Sequence, residues 1–174
     1  MKSHGIGNSQ ILPKDYRRKG DIELILREMA EQVAVRLRRV RKKTTCVSIH
    51  VGYSRTEEKK SIQAQRKIDP TNQTKPLTEV VLDLFRQKYT SGAVRRVGIS
   101  YQGLVDEAIT VYSLFDDYEQ VEKEEKLQKA VDTIRDEFGF TSLLKANSLL
   151  ESSRVKARSQ LVGGHSAGGL DGLT

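Results

Sequence analysis

The residue types that most often perform catalysis or bind metals are few and widely spaced in this sequence. The histidines, His4, His50 and His165, lie far apart in the sequence, and Cys46 is the single cysteine. One cysteine cannot complete a typical zinc set. Asp116 and Asp117 are adjacent carboxylates in an acidic stretch, a setting more typical of solvated charge than of catalysis. The sequence therefore predicts no catalytic residue, no metal site and no cofactor in this chain.

Positive charge is the more informative chemistry. The chain has 30 Lys and Arg against 23 Asp and Glu, a net charge of +7, which favours a polyanionic partner. Residues 1–108 carry the whole excess, with 22 basic and 12 acidic residues, whereas residues 109–174 carry 8 basic and 11 acidic residues. We therefore expect a basic, anion-binding front part and an acidic back part.

Three clusters contain part of this basic charge: Arg36–Lys43, Arg66–Lys67 and Arg95–Arg96. Each is a candidate for phosphate contact, and each has a plainer interpretation as solvated surface charge. The first cluster follows a helical pattern, where cations also favour a helix C-terminus. Which interpretation holds depends on the elements that carry the clusters.

Those elements follow from the spacing of apolar residues. A first strand is predicted over Gly7–Leu12, ending at Pro13. Asp21 is predicted to cap a helix whose apolar stripe runs from Ile22 to Val40. The remaining predicted elements are strands over Thr45–Ser54 and Ser61–Ile68, a loop over 69–72, a helix from near Pro76 that ends before Gly92, and a strand over Arg95–Leu104.

The order β-α-β-β-α-β predicts an α+β fold, with a four-stranded antiparallel sheet and two helices on one face, followed by a helical C-terminal tail. The second face of the sheet is then open, and small or polar residues point to it: Ser48, Gly52, Gly98 and Ser100. Small side chains would let phosphates approach backbone N–H groups. This face is a candidate platform for a nucleic-acid backbone.

The back part has a different character. A charged helix is predicted over Asp117–Glu137, a short helix around residues 143–150, and a disordered glycine-rich end. The predicted domains are therefore 1–108 (anion binding), 109–116 (linker peptide), 117–152 (helical tail) and 153–174 (flexible terminus). The lack of an apolar run of about 18 residues and the lack of a second cysteine predict a cytoplasmic protein without a membrane span.

Several segments resemble the C-terminal region of Y-family translesion DNA polymerases, closest to the UmuC-like branch of Gram-positive bacteria. Residues 2–9 (KSHGIGNS) resemble the entry into the little-finger domain, and residues 95–100 (RRVGIS) resemble its last strand. In the tail, residues 139–144 (GFTSLL), 153–155 (SRV) and 163–165 (GGH) are also similar to that branch.

The resemblance implies that residues 1–108 grip primer–template duplex DNA without sequence specificity. It also implies that the catalytic palm, with its Mg²⁺ ions, lies outside this chain, which would be a piece of a longer polymerase or a truncated gene product. Partners would be DNA and the catalytic core of the parent polymerase. The candidate DNA contacts are Arg41, Lys42, Ser48, His50, Arg66, Lys67, Arg95, Arg96, Gly98 and Ser100.

Bacterial members of the family also carry a peptide that binds the sliding clamp, often Gln-Leu-Ser-Leu-Phe. Ser113, Leu114 and Phe115 match its second half, while Val111 and Tyr112 replace Gln and Leu. The resemblance thus implies clamp binding through Tyr112–Phe115, which would tether a polymerase of the SOS-type damage response at replication forks. The alternative is a protein-interaction module of a repair complex, whose DNA binding is incidental to its charge.

Overall fold

The computed structural model describes residues 5–109, 117–158, 161–162 and 165–166. Its main sheet is antiparallel, with the spatial strand order β1-β4-β2-β3, and a two-residue strand, β5, pairs with the start of β2. The strands are β1 (Ile6–Tyr16), β2 (Lys42–Tyr53), β3 (Ile62–Thr71), β4 (Val94–Gln102) and β5 (Val105–Asp106).

Two helices, α1 (Lys19–Arg39) and α2 (Thr74–Lys88), cover one face of this sheet. The apolar stripe of α1 packs on inward-facing strand residues such as Val47, Val97 and Tyr101, all fully buried. The Tyr101 hydroxyl donates a hydrogen bond to the Ala30 carbonyl of α1 at 2.9 Å. The predicted β-α-β-β-α-β order and the one-sided placement of the helices are confirmed.

The two edge strands are longer than predicted. Strand β1 continues through Pro13 to Tyr16, and β3 continues through Pro70 to Thr71, where a strand end and a loop had been expected. Proline cannot donate to a ladder and is therefore confined to edges and bulges. Both prolines lie on edge strands, and Pro13 falls in the register break between Ile11 and Tyr16. The prediction that Pro13 and Pro70 mark the ends of these strands is therefore wrong.

The ends of α1 also differ from the prediction. The helix begins at Lys19 with Arg18 as its N-cap, so Asp21 lies inside the first turn, where its charge suits the helix dipole. The helix ends at Arg39. Val40 is 52% exposed as the C-cap and lies outside the buried stripe, and Lys42 already belongs to β2.

The tail forms helix α3 (Tyr118–Phe138), and the Asp117 side chain accepts hydrogen bonds from the Glu119 and Gln120 N–H groups at its start. Two 3₁₀ turns take the place of the predicted short helix. They span Phe140–Ser142 and Ala146–Leu149, and α4 (Val155–Arg158) follows. In the end predicted to be disordered, β6 (Leu161–Val162) pairs with β7 (His165–Ser166).

The tail packs against the outer side of α1. Val35, on that side, forms a small second core with Phe140 and Val155, all three buried. Arg135 of α3 is 4% exposed and donates to Glu31 of α1 at 2.9 Å. The tail therefore covers the helix side of the molecule and leaves the other sheet face uncovered. No helix in the described part of the chain is long and apolar enough to cross a membrane.

Candidate nucleic-acid interface

The sheet face opposite the helices, called here the open face, is ordered by the strand register into rows. One row, from β1 to β3, consists of Gly7, Ser100, Ser48 and Gln65. The next consists of Ser9, Gly98, His50 and Gln63. The alternation of the strands places every second residue on this face, because successive side chains point to opposite sides of a sheet.

The centre of the open face consists of small and polar side chains. The Ser48 hydroxyl lies 3.4 Å from the Ser100 carbonyl, and the Gln102 amide lies 3.4 Å from the Ser100 hydroxyl, so the polar groups form weak contacts with one another. A Cβ at Gly98 would meet the Ser9 Cβ at 3.3 Å, which is a tight contact. Glycine here keeps β1 and β4 close and the surface flat.

Two exposed cations lie at opposite corners of this face. Lys67 on β3 is opposite Cys46, and Arg96 on β4 is opposite Gly52. Cys46 and Gly52 are six positions apart, which is roughly 20 Å along a strand. The two strands that carry the cations, β3 and β4, are about 10 Å apart because β2 lies between them. The cations therefore flank the flat centre diagonally.

The structure separates the members of one predicted basic pair, Arg66 and Lys67, and holds Arg95 of the other pair in an ion pair. Arg66 is opposite Val47 and belongs to the helix side, where its guanidinium contacts Asp83 of α2 at 3.4 Å. Arg95 lies at the register break between β2 and β4 and contacts Asp15 of β1 at 3.3 Å. The open face thus gathers Ser48, His50, Lys67, Arg96, Gly98 and Ser100 from the predicted set but not Arg66, while Arg95 is exposed at the register break and held in an ion pair.

Arg41 and Lys42 lie away from the open face centre, at the junction of α1 and β2. Arg41 is exposed and lines a cavity between α1 and α3, while Lys42 is half-buried and pairs in register with Asp106 of β5. These two residues form a group with the end of α1. The sequence had made them candidate phosphate contacts as part of the basic cluster Arg36–Lys43 at a helix end.

The expected role of backbone N–H groups needs correction. Strands β2 and β4 each lie between two hydrogen-bonded neighbours, so the amides of Ser48, Gly98 and Ser100 are used within the sheet. Small residues at these positions flatten the face without freeing amides for phosphate. Glutamines of β3, Gln63 and Gln65, lie on the open face as additional donors, and the alternation of β3 would have identified them.

Two further expectations concern the clamp-binding peptide and metal binding. The clamp-binding peptide, Tyr112, Ser113, Leu114 and Phe115, lies outside the described residues. Within the described ranges, no group of three or more His, Cys, Asp or Glu side chains is close enough to hold a metal ion.

Comparison with known proteins identifies the domain. The model of the impB/mucB/samB family C-terminal domain matches residues 3–114, which is more than half of the chain. The chain belongs to this family. The match contains the entire sheet and both helices that cover it. Family membership therefore rests on the part of the chain that builds the open face.

The relatives extend this likeness into the tail. UvrX of Bacillus subtilis (strain 168), whose name refers to UV-damage repair, is 34% identical over 160 residues, 91% of this chain and 38% of the relative. DNA polymerase IV 2 of Halalkalibacterium halodurans is 30% identical over 165 residues, 94% of this chain and 40% of the relative. The chain spans about two fifths of the length of these relatives. The resemblance to the C-terminal little-finger region of Y-family polymerases is confirmed.

Among solved structures, a complex of a beta-clamp processivity factor and the little finger domain of PolIV is similar to this chain with a TM-score of 0.48. The identity is 14%, and the match covers 64% of this chain and 98% of that one. A likeness of this degree is too low to support an argument about partners.

Proposed function

We propose that the open face holds duplex DNA through its phosphate backbone, as the DNA-binding part of a translesion polymerase. The observation that carries the proposal is the flat centre formed by Ser48, Gly98 and Ser100 between the exposed cations Lys67 and Arg96. The two cations lie farther apart than the width of a major groove, about 12 Å, so each long side chain can reach one of the two phosphate backbones that border the groove. Contacts of this kind position DNA without reading bases.

The composition of the open face favours duplex over single-stranded DNA. Proteins that bind single strands stack exposed bases on aromatic side chains. None of the described open-face residues on β1 to β4 is Phe, Tyr or Trp, because the tyrosines of these strands lie on the helix side or at the strand ends. A face of serine, glycine and glutamine offers hydrogen bonds to a backbone but no stacking platform.

The family and its relatives supply the wider setting of this proposal. The polymerase relatives are more than twice as long as this chain, so we place the catalytic chemistry, the primer–template and any lesion in a full-length protein of which this is the DNA-holding part. We further propose that Leu114 and Phe115 tether it to a bacterial sliding clamp. Binding of the chain to a purified clamp should be lost in Leu114→Ala/Phe115→Ala, and its persistence would exclude this peptide.

The test of DNA binding compares two double variants with equal charge. Lys67→Ala/Arg96→Ala removes both open-face cations, and Arg27→Ala/Arg66→Ala removes two cations of the helix side. Each phosphate contact contributes about 0.9 to the slope of log K against log salt. The first variant should therefore lose about 1.8 from this slope on duplex DNA of any sequence, while the second should change it little.

The same titrations separate the alternatives. Equal losses in both double variants would mean that net charge alone attracts DNA, and the proposal would then be wrong. A strong preference for one sequence would contradict a backbone grip. If neither variant affects DNA binding but open-face substitutions abolish capture of a purified repair protein, the open face is a protein-interaction surface instead.

A further inference from the structure

The C-terminal end of α1 carries arginines that the acidic tail already engages as anion receptors. Arg38 donates from Nε to Asp132 Oδ2 at 2.5 Å and from Nη2 to Asp132 Oδ1 at 3.0 Å. Arg39 donates from Nη2 to Asp136 Oδ1 at 2.6 Å. A guanidinium binds phosphate through the same two-point fork that it uses for a carboxylate. The two aspartates therefore occupy positions that phosphate oxygens could also occupy.

The charges of the two elements match this interpretation. Residues 36–43 contain six Lys and Arg and no acid, whereas α3 contains seven acidic and four basic residues. Asp132 and Asp136 are spaced i,i+4, so both lie on the helix side that contacts α1. The tail helix thus presents a line of anionic groups to a basic surface.

Two further observations indicate that this basic surface has spare anion-binding capacity. Arg39 Nη1 is buried and has no hydrogen-bond partner among the described residues. Arg41 has a φ of 52°, a left-handed conformation at a helix end that usually carries glycine. Residues kept in an unfavourable backbone conformation cluster at functional sites. Arg41 lines a cavity of about 590 Å³ together with Arg38 and Arg39.

The contact between tail and α1 is mainly polar. Its buried apolar part consists of Val35, Phe140 and Val155, and the remainder is ion pairs and hydrogen bonds. The Arg39–Asp136 pair is half-exposed, at 26% and 55%, and ion pairs of this kind weaken with salt and exchange readily with other ions. An anionic polymer is a natural competitor for such a contact.

We propose that Arg39 and Arg41, called here the arginine surface, form a second binding surface for the phosphate backbone of duplex DNA, and that α3 occupies it competitively. Arg38, which also donates to the Asn72 carbonyl and the Thr74 hydroxyl, stays engaged within the fold. The proposal rests on the proposed function only for the identity of the polyanion. With α3 in place, DNA is directed to the open face. With α3 displaced, the arginine surface adds contacts on the opposite side of the domain.

The experiment uses the full chain in the Lys67→Ala/Arg96→Ala background, so that the open face contributes little. Asp132→Lys/Asp136→Lys places like charges against Arg38 and Arg39 and should release α3. The matched control, Glu122→Lys/Glu137→Lys, makes the same charge change on the exposed side of the same helix. Hydrogen exchange of the α3 amides reports release, and titration with duplex DNA at several salt concentrations reports binding.

The released variant should bind DNA more tightly than the control, with a salt slope steeper by about 1.8 for two additional phosphate contacts. Adding Arg39→Ala to the released variant should remove about half of that difference. Equal affinity and slope in the two lysine variants would overturn the proposal, as would a gain that survives Arg39→Ala combined with Arg41→Ala. Continued protection of α3 in the released variant would also overturn it, since the ion pairs would then not hold the tail.

Failure of the proposed function has a separate signature. It shows as unchanged DNA binding when Lys67 and Arg96 are replaced in the otherwise unaltered chain. The two lysine variants are compared with each other in the same Lys67→Ala/Arg96→Ala background. The difference between their DNA affinities therefore does not depend on whether Lys67 and Arg96 themselves bind DNA.

Discussion

Replacing Arg135 should release the tail and leave the sheet domain folded. This arginine is 4% exposed, donates from Nη1 to Glu31 at 2.9 Å, and donates from Nε and Nη2 to the Leu143 carbonyl at 3.0 and 2.7 Å. Its guanidinium also lies 4.3 Å from the centre of the Phe140 ring. One side chain therefore joins α3 to α1 and to the turn that follows α3.

The expected magnitude follows from these contacts. Removing one partner of a buried ion pair costs about 3–5 kcal/mol, because the other charge stays buried and unpaired. Arg135→Met keeps the stem that packs near Phe140 and removes only the polar contacts. At about 4 kcal/mol, and 1.4 kcal/mol for each factor of ten, the open population of the tail should rise about a thousandfold.

Native-state hydrogen exchange measures this directly. The α3 amides of Arg135→Met should lose about three orders of magnitude of protection, while amides of β2 and β4 keep theirs, since the main core contains no tail residue. The matched control is Lys126→Met on the same helix. Lys126 forms only an exposed i,i+4 pair with Glu122, so its loss should change protection about twofold.

Two results would refute the reasoning. Equal effects of Arg135→Met and Lys126→Met would mean that the buried contacts of Arg135 contribute no more than a surface pair. Parallel loss of protection in α3 and in the central strands would mean that tail and sheet unfold as one cooperative unit. In that case the predicted boundary between residues 1–108 and the tail would not mark separate folding units.

Two other variants test local features of the fold. Arg41→Gly should raise the free energy of unfolding by about 0.5–1 kcal/mol in a denaturant titration, because glycine relieves the left-handed conformation at φ 52°; a lower midpoint would mean that contacts of Arg41 outweigh this strain. The Ala93 N–H, at 2.8 Å, and the Arg17 guanidinium hold the pKa of Glu57 below its ordinary value of 4.5. Its contribution to stability is therefore complete above about pH 5 and is lost as the pH falls through the lowered pKa, so Glu57→Gln should be less stable at neutral pH and approach the parent protein in acid.

The alternation of side chains along strands accounts for the successful part of the sequence analysis. Ser48, Gly98 and Ser100 were assigned to the open face because a period of two is unambiguous in a half-buried strand, and their neighbours Val47 and Val97 are buried on the other face. The same period applied to β3 puts Arg66 with Ala64 on the helix side. Basic character alone had grouped Arg66 with Lys67, so here charge was given more weight than geometry.

Other features depend on pairing, which one sequence does not reveal. A proline ends a central strand but is compatible with an edge strand. The strand order places Pro13 and Pro70 on edge strands, and this order cannot be read from the sequence. Arg95 lies at a register break, and such a break redirects a side chain irrespective of the alternation. The boundaries of these elements could therefore not be fixed before the sheet was known.

One feature of the α1 sequence indicates that the tail packs on this helix, and the apolar stripe facing the sheet does not account for it. A helix that packs only on a sheet buries one stripe, yet α1 also buries Val35 and Glu28 on its other side, at 2% and 4% exposure. Glu28 accepts from the Arg154 N–H at 2.9 Å and from the Ser153 hydroxyl, and Val35 contacts the tail core. Val35 is an apolar residue outside the stripe, and a run of arginines follows it. Together with the acidic residues of α3, this pattern indicates that the outer face of α1 is covered. In this chain the described back part therefore does not act as a free acidic tail: it forms a third layer on the outer side of α1.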